Sequence, residues 1–186
     1  MKKKKGQLLH LLHGMDRLEG RWTNDKYAMA NETTAFRGHT LHRIKALKGL
    51  TYVREGDLGG WIETEKNLSV SGNAWVAEGA HVFGDAQVLG DSLVFGHATV
   101  SGHARVSGNA RVGDRAWISE SAWVTNEALV TGKAGVSGYA QISDSAWVGD
   151  HARIAGKVRV CGYARVRGHM RLVDNEWVSG EMLMMG

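Results

Sequence analysis

Six cationic side chains near the C-terminal end carry the sharpest chemical signal in this chain. Arg153, Lys157, Arg159, Arg165, Arg167 and Arg171 crowd together, with only Asp174 and Glu176 close behind. Arginine forks hold phosphates bidentately, and an aromatic ring nearby can stack a base. Trp147, Tyr163 and Trp177 are near enough in sequence to do so. The set therefore reads as an anion or nucleotide site, for a free nucleotide or a nucleic acid. The competing reading is a solvated set of charges that protects a sheet edge. Histidine offers less. His97, His103, His151 and His169 share one outward turn phase, and His151 and His169 are eighteen residues apart. Zinc needs three or four ligands, and no Cys, Asp or Glu at suitable spacing completes a set. Ser101, Ser107, Ser119, Ser137 and Ser143 lack a fixed base, so no nucleophilic triad forms. The expectation is no catalytic residue, no metal and no cofactor.

These residues are placed by a six-residue repeat. From Val70 to Val178 every sixth residue is aliphatic, including Val76, Val94, Ile118, Val136, Ile154 and Leu172. Two residues earlier stands a small residue, nearly always alanine, such as Ala74, Ala98, Ala122 and Ala146. Two residues later stands Gly, or else Asp, Asn or Glu. Side chains two apart in an extended strand point to one side, so Ala and Val line an interior while the residues between them face out. Gly72, Gly84 and Gly96 can turn the chain at positive φ, and Asp114, Asn126, Asp144, Asp150 and Asp174 are the next most tolerant types at that phase. Glu78 and Glu120 fit the phase poorly. Internal repetition of this regularity predicts a solenoid.

A period of six does not say how many strands close one coil. Three, making a triangular prism, is the natural closure. With eighteen residues per coil, one outward face carries Trp75, Ala77, Leu93, Phe95, Leu129, Thr131 and Trp147. A second carries His81, Phe83, Trp117, Ser119 and Ser137, and a third Leu89, Arg105, Trp123, Thr125 and Gln141. The first is the most apolar, and an exposed apolar stripe marks an interface. The oligomer contact is therefore expected at Trp75, Leu93, Phe95, Leu129 and Trp147.

The run Val106-Ser107-Gly108-Asn109-Ala110-Arg111-Val112-Gly113-Asp114 resembles the hexapeptide-repeat, LpxA-like superfamily. The repeat that carries the resemblance covers more than half of the chain. General crossover rules favour the right hand, whereas the resemblance implies a single-stranded left-handed parallel β-helix, all-β, with a small N-terminal α+β cap. It also implies a homotrimer. The enzymes of that superfamily place Gly directly after the aliphatic residue, and here it comes two later. This variant, with Gly56-Asp57-Leu58-Gly59-Gly60-Trp61-Ile62-Glu63 before it, is similar to bacterial and phage-borne hexapeptide proteins. Such enzymes also extrude a loop near a catalytic histidine, and nothing interrupts the register from Leu68 to Val178. The expected function is thus a non-catalytic trimeric scaffold or binding protein, of phage or prophage type. One version of it sequesters a nucleotide signal or a host protein. The alternative is an acyltransferase using acetyl-coenzyme A.

Three segments are expected: an N-terminal helix and hairpin cap over 1–59, the solenoid over 60–180, and an apolar tail over 181–186. Leu8, Leu11, Leu12, Met15 and Leu18 have helical spacing, although Met15 could equally be the true start. The basic head with a short, His-broken apolar stretch does not read as a signal peptide. Residues 33–47 read as a hairpin turning at Arg37-Gly38. Proline is absent, which suits a ladder that uses every N–H. A single cysteine, Cys161, excludes an internal disulfide and fits a cytoplasmic setting. No membrane segment is expected. The net charge is +4.

Overall fold

The computed structural model describes residues 24–186, so the amphipathic helix expected around Leu8–Leu18 and the choice of Met1 or Met15 lie outside the described residues. Each hexapeptide forms a two-residue strand made of the aliphatic residue and the one before it, for example Trp117–Ile118 and Trp123–Val124. Three such strands close a coil. Each strand then pairs in parallel with the strand eighteen residues on: Trp75 with Leu93, Leu93 with Arg111, Arg111 with Leu129, Leu129 with Trp147. The result is a parallel β-solenoid of stacked coils with three sheets as faces. Face I runs from Trp75–Val76 to Leu183–Met185, face II from Leu58–Ile62 to Arg171–Leu172, and face III from Gln87–Val88 to Trp177–Val178. Inside, the Ala and Val positions of the repeat are essentially inaccessible from Ala74 to Val166. Val70, which spacing places in the interior, is instead exposed: Leu68 fills the core there and bridges to Val88, twenty residues on, so the eighteen-residue register begins only at Trp75.

The corners explain the departures from glycine. Each hexapeptide turns through a four-residue span such as Phe95–Ala98, closed by the Ala98 amide on the Phe95 carbonyl at 3.3 Å. The second residue of the span takes positive φ. Asp114, Glu120, Asn126, Asp144, Asp150 and Asp174 all do so, at φ from 55 to 67°. Four of these carboxylates accept the amide N–H of the glycine one coil on: Asp114 from Gly132 at 2.9 Å, Glu120 from Gly138 at 2.7 Å, Asp144 from Gly162 and Asp150 from Gly168 at 3.0 Å. A left-handed residue with a side chain is strained, and this bond offsets the strain. Glu120 therefore fits by the same device as aspartate. Glu78 is different. In its span, Ala77–Ala80, the positive φ moves to the third residue, Gly79, at 83°. Glu78 is then free to pair with Arg43 at 2.8 Å.

The N-terminal end is sealed by strands. β1 (Tyr27–Phe36) and β2 (His39–Ala46) form an antiparallel hairpin through Arg37 and Gly38, and β3 (Leu58–Ile62) pairs with β2 on one side and with His81–Val82 on the other. The hairpin begins at Tyr27, earlier than the Thr33 read from sequence. Face II thus continues into the cap without a break. Among the described residues the cap holds no α-helix, only the 3₁₀ turn Glu65–Asn67. Three polar groups hold it to the first coil. The Tyr27 hydroxyl donates to the Leu68 carbonyl at 2.9 Å, and burial pushes its pKa up to about 12. The Lys26 ammonium donates to the Ser69 carbonyl at 2.8 Å, with burial first and then Lys48 lowering its pKa to about 8. Buried Asn67 accepts the Glu63 and Thr64 amides and donates to the Gly84 and Ala86 carbonyls. At the other end, Leu183–Met185 adds a strand to face I instead of folding over the core, and only Met184 packs inward. The apolar segment from 181 is therefore a further rung of the solenoid.

Two stability predictions follow from this packing. Asn67→Ala removes the partner of four backbone groups, so it should cost about 3 kcal/mol by denaturant unfolding; a cost under about 0.5 kcal/mol would contradict the role given to it. Val124→Asp buries an unpaired charge and should cost more than about 4 kcal/mol, whereas Arg105→Ala should change stability by less than about 0.5 kcal/mol.

Candidate functional site

The apolar face is not the open stripe its spacing suggests. Trp75 does face outward from the coil, yet only 2% of it is accessible. Its ring lies against Gly59, and the segment carrying Leu50, Tyr52 and Val53 packs over the same end of face I. Tyr52 reaches across to the Asp91 carbonyl at 3.4 Å, and Arg111 lies 5.8 Å from its ring. Alternation fixes which way a side chain points; it does not say what covers it. Leu93 packs against the core cluster, and the Phe95 ring lies over Gly113. Leu129 is half-buried. Trp147 lies along the surface, donating to Thr131 Oγ1 at 3.1 Å beneath the Arg167 guanidinium at 4.5 Å. Trp75 thus belongs to the cap contact, while Phe95, Leu129 and Trp147 remain on the face beyond it.

The six C-terminal cations are divided among all three faces. Arg153 and Arg171 are paired on face II, Arg159 stands on face III and Arg165 on face I. Arg167 pairs with Asp150 at 3.4 Å. Lys157 occupies the corner between faces II and III. Residues close in sequence are carried around the prism, so these six do not converge on one ligand-sized site. Tyr163 and Trp177 are exposed on other parts of the same coils.

Convergence occurs instead along the corner between faces I and II. The outward turn position there recurs every eighteen residues and holds His97, Arg115, Lys133, His151 and His169 in order. His151 and His169 stack, with ring centroids 4.9 Å apart and planes 1° from parallel. Beside this row, face II presents Trp117, Gly135 and Arg153 in consecutive register. Gly135 does not need positive φ. Its missing side chain leaves a trough between Trp117 and Arg153, and Arg153 leans over it to donate to the Lys133 carbonyl. The hairpin supplies the upper wall. Arg37 and Gly38 both take positive φ, 50° and 86°, as a tight two-residue turn requires. This aims the Arg37 guanidinium over Trp117, 5.1 Å from the ring centroid. Trp117 is held from below through its Nε1 and Ser101 Oγ at 3.5 Å. Together Arg37, His97, Arg115, Trp117, Lys133 and Arg153 line an open groove of about 480 Å³.

No carboxylate lines this groove, and none of its four Arg and Lys side chains pairs with an acid among the described residues. Asp114 and Asp150 lie on the same corner, but each has an oxygen committed to a glycine amide of the next coil. That bond, before the nearby Arg167, holds the Asp150 carboxyl below the usual carboxylate range. Sequence inspection found His97 and the stacked pair but passed over Arg115 and Lys133, which fill the row between them. Spacing by eighteen sorts the outward strand positions into faces, but at the turn phase only the histidines stand out as candidate ligands, and the two cations between them carry no local signal.

A second groove, about 330 Å³, lies where face III meets the corner carrying His103, Ser121 and Tyr139; Arg105, Trp123 and Gln141 complete it. It is less charged, and its Arg105 lies over Trp123 at 5.7 Å. Where β1 and β2 meet the solenoid, Phe36, His39, His81 and Phe83 form an aromatic cluster, with Phe36 stacked on His81 at 4.2 Å. Burial, then the neighbouring His97, lowers the His81 pKa. Among the described residues no three His, Cys, Asp or Glu side chains come together as a metal site would need. No helix among them is long and apolar enough to cross a membrane.

A family model described as the YdcK beta solenoid repeat matches residues 98–114, about one coil. No curated protein matches the chain. The chain is a β-solenoid repeat protein on both counts, the local match and the stacked parallel coils.

The burial of Trp75 separates two roles that its spacing confounds. Trp75→Ala should destabilise the chain by about 3–5 kcal/mol, as for a core tryptophan. Trp147→Ala should cost about 1 kcal/mol, the worth of one hydrogen bond and a surface cation–π contact. Equal melting temperatures for the two variants would refute the placement of the cap.

Proposed function

We propose that this protein is a non-catalytic β-solenoid scaffold that works by binding a ligand or partner on its outer surface. The observation that carries this reading is the unbroken ladder. From Trp75 onward the outward amides donate to the next coil in one register, as in Trp75 to Ser92, Ser107 to Val124 and Ser143 to Val160. No loop leaves the ladder to build a lid over a reacting centre, and a catalytic constellation needs groups that converge on an enclosed volume. The grooves are open and lie on rigid strands, which suits recognition.

Assembly belongs to the same reading. Phe95, Leu129 and Trp147 on face I are the residues at which copies would meet, and a homotrimer is the form that the resemblance of the repeat implies. Trp75 is excluded from this surface by the cap.

The test sets the scaffold against acyl transfer. Acetyl-coenzyme A should neither raise the melting temperature, as a bound ligand does, nor be consumed with amine acceptors. Saturable turnover abolished by changing one histidine would replace this reading with an acyltransferase. Light scattering should give three times the chain mass, and Leu129→Glu with Trp147→Glu should reduce it. A monomer at micromolar concentration would remove the trimer while leaving the scaffold.

A further inference from the structure

The corner between faces I and II presents a problem in electrostatics. Arg115 and Lys133 occupy the same position on successive coils, where the strand spacing is about 4.8 Å. Arg153 and Arg37 approach from either side. Like charges at such separation repel. A neutral row of turn residues would serve the fold equally well, as Gly79 does at the start of this corner. The neighbouring corner, between faces III and I, carries Asp91, Asn109, Glu127, Ser145, Tyr163 and Glu181 at the same phase. The two corners thus differ in sign at the same turn phase.

We propose that this groove binds nucleotides. The phosphates lie on Arg115, Lys133 and Arg153, and a base occupies the Gly135 trough against Trp117 and the Arg37 guanidinium. Each component matches a need of that ligand. Arginine and lysine neutralise phosphate, and arginine can do so with two parallel hydrogen bonds. Aromatic rings and guanidinium planes both stack bases. Gly135 places no side chain of its own there; the space is covered only by the flexible Arg153 chain, which a bound phosphate would draw outward and so open to a ring. The row continues through His151 and His169, so a single strand laid along the corner meets further side chains that can donate hydrogen bonds at coil spacing. An isolated nucleotide would use only the groove. The proposal rests on the reading of the chain as a binding scaffold and gives that scaffold a ligand class.

The experiment is fluorescence anisotropy with the full chain and a labelled oligothymidylate of about ten nucleotides, within the usual site size of single-strand grooves. Binding should be measurable at low salt and fall steeply towards physiological salt. Arg115→Glu with Lys133→Glu should weaken it by more than about a hundredfold, and Trp117→Ala by about tenfold. Gly135→Leu keeps every charge, and the atoms nearest its added Cβ belong to the flexible Arg153 chain; with its melting temperature near the wild-type value, it should lose about tenfold by filling the trough. Arg159→Glu, on face III, should bind as the wild type does. Competition then distinguishes the source. Thymidine monophosphate as effective as the strand per nucleotide assigns the groove to a free nucleotide, and a strand at least about tenfold better assigns it to single-stranded nucleic acid. Absence of binding at low salt overturns the proposal. So does wild-type affinity in Gly135→Leu and Trp117→Ala, because a polyanion such as polyphosphate would then serve equally. Either failure leaves the scaffold reading intact, whereas acetyl-coenzyme A turnover would remove that reading first.

Discussion

Backbone hydrogen bonding between each coil and the next, strand on strand at a register of eighteen residues, is the constraint on which the rest of this molecule depends. The solenoid strands are only two or three residues long, so no single strand pair is stable by itself. Stability comes from repetition, each coil offering its amides and carbonyls to the next while alanine and the branched aliphatics fill the interior. In such a quasi-one-dimensional structure, energies add coil by coil. The cost is rigidity of register. A residue has no freedom to choose its neighbour, because whatever stands at one level is stacked on its counterpart at the levels above and below.

The corners show how the sequence lives with that rule. Where aspartate or glutamate takes the left-handed position, the next coil supplies a glycine whose amide the carboxylate accepts, at Asp114, Glu120, Asp144 and Asp150. Carboxylates therefore do not stack on carboxylates at these corners. Asn126 below Asp144 is consistent with this, since its amide donates to the acid at 3.0 Å. On the cationic corner Asp114 and Asp150 obey the same rule, but the outward row beside them carries cations on successive levels. Arg115 and Lys133 follow one another there, and neither pairs with an acid among the described residues.

Much of the architecture was legible because one period dominates the chain. The buried aliphatic positions, the outward positions and the turn residues all follow from spacing by six and from the backbone preferences of Gly, Asp and Asn. The closure into three faces is not carried by that period and needed the register itself, Trp75 on Leu93 on Arg111. Burial from outside was also illegible: phase makes Trp75 an outward residue, and only the path of residues 47–59 reveals that it is covered. Glu78 looked anomalous because a turn can place its positive φ at either of two residues, and spacing does not choose between them. For the candidate site the strong short period worked against detection. It drew attention to cations that are near in sequence, Arg153 to Arg171, and these are scattered around the prism. Arg37 comes from a distant hairpin, and no local pattern links it to Trp117.

Uniform stacking also makes the molecule modular in length. Removing one residue from any coil would shift every later side chain out of phase, but removing eighteen would leave the ladder, the interior and all three faces matched. Coil number is then a variable that can change while geometry stays fixed. The outer surface behaves as a graduated scale, with one rung of side chains per level. Lengthening or shortening the solenoid by whole coils between Lys133 and His169 would alter the reach of the charged edge in equal steps, without disturbing the hairpin that roofs its first rungs.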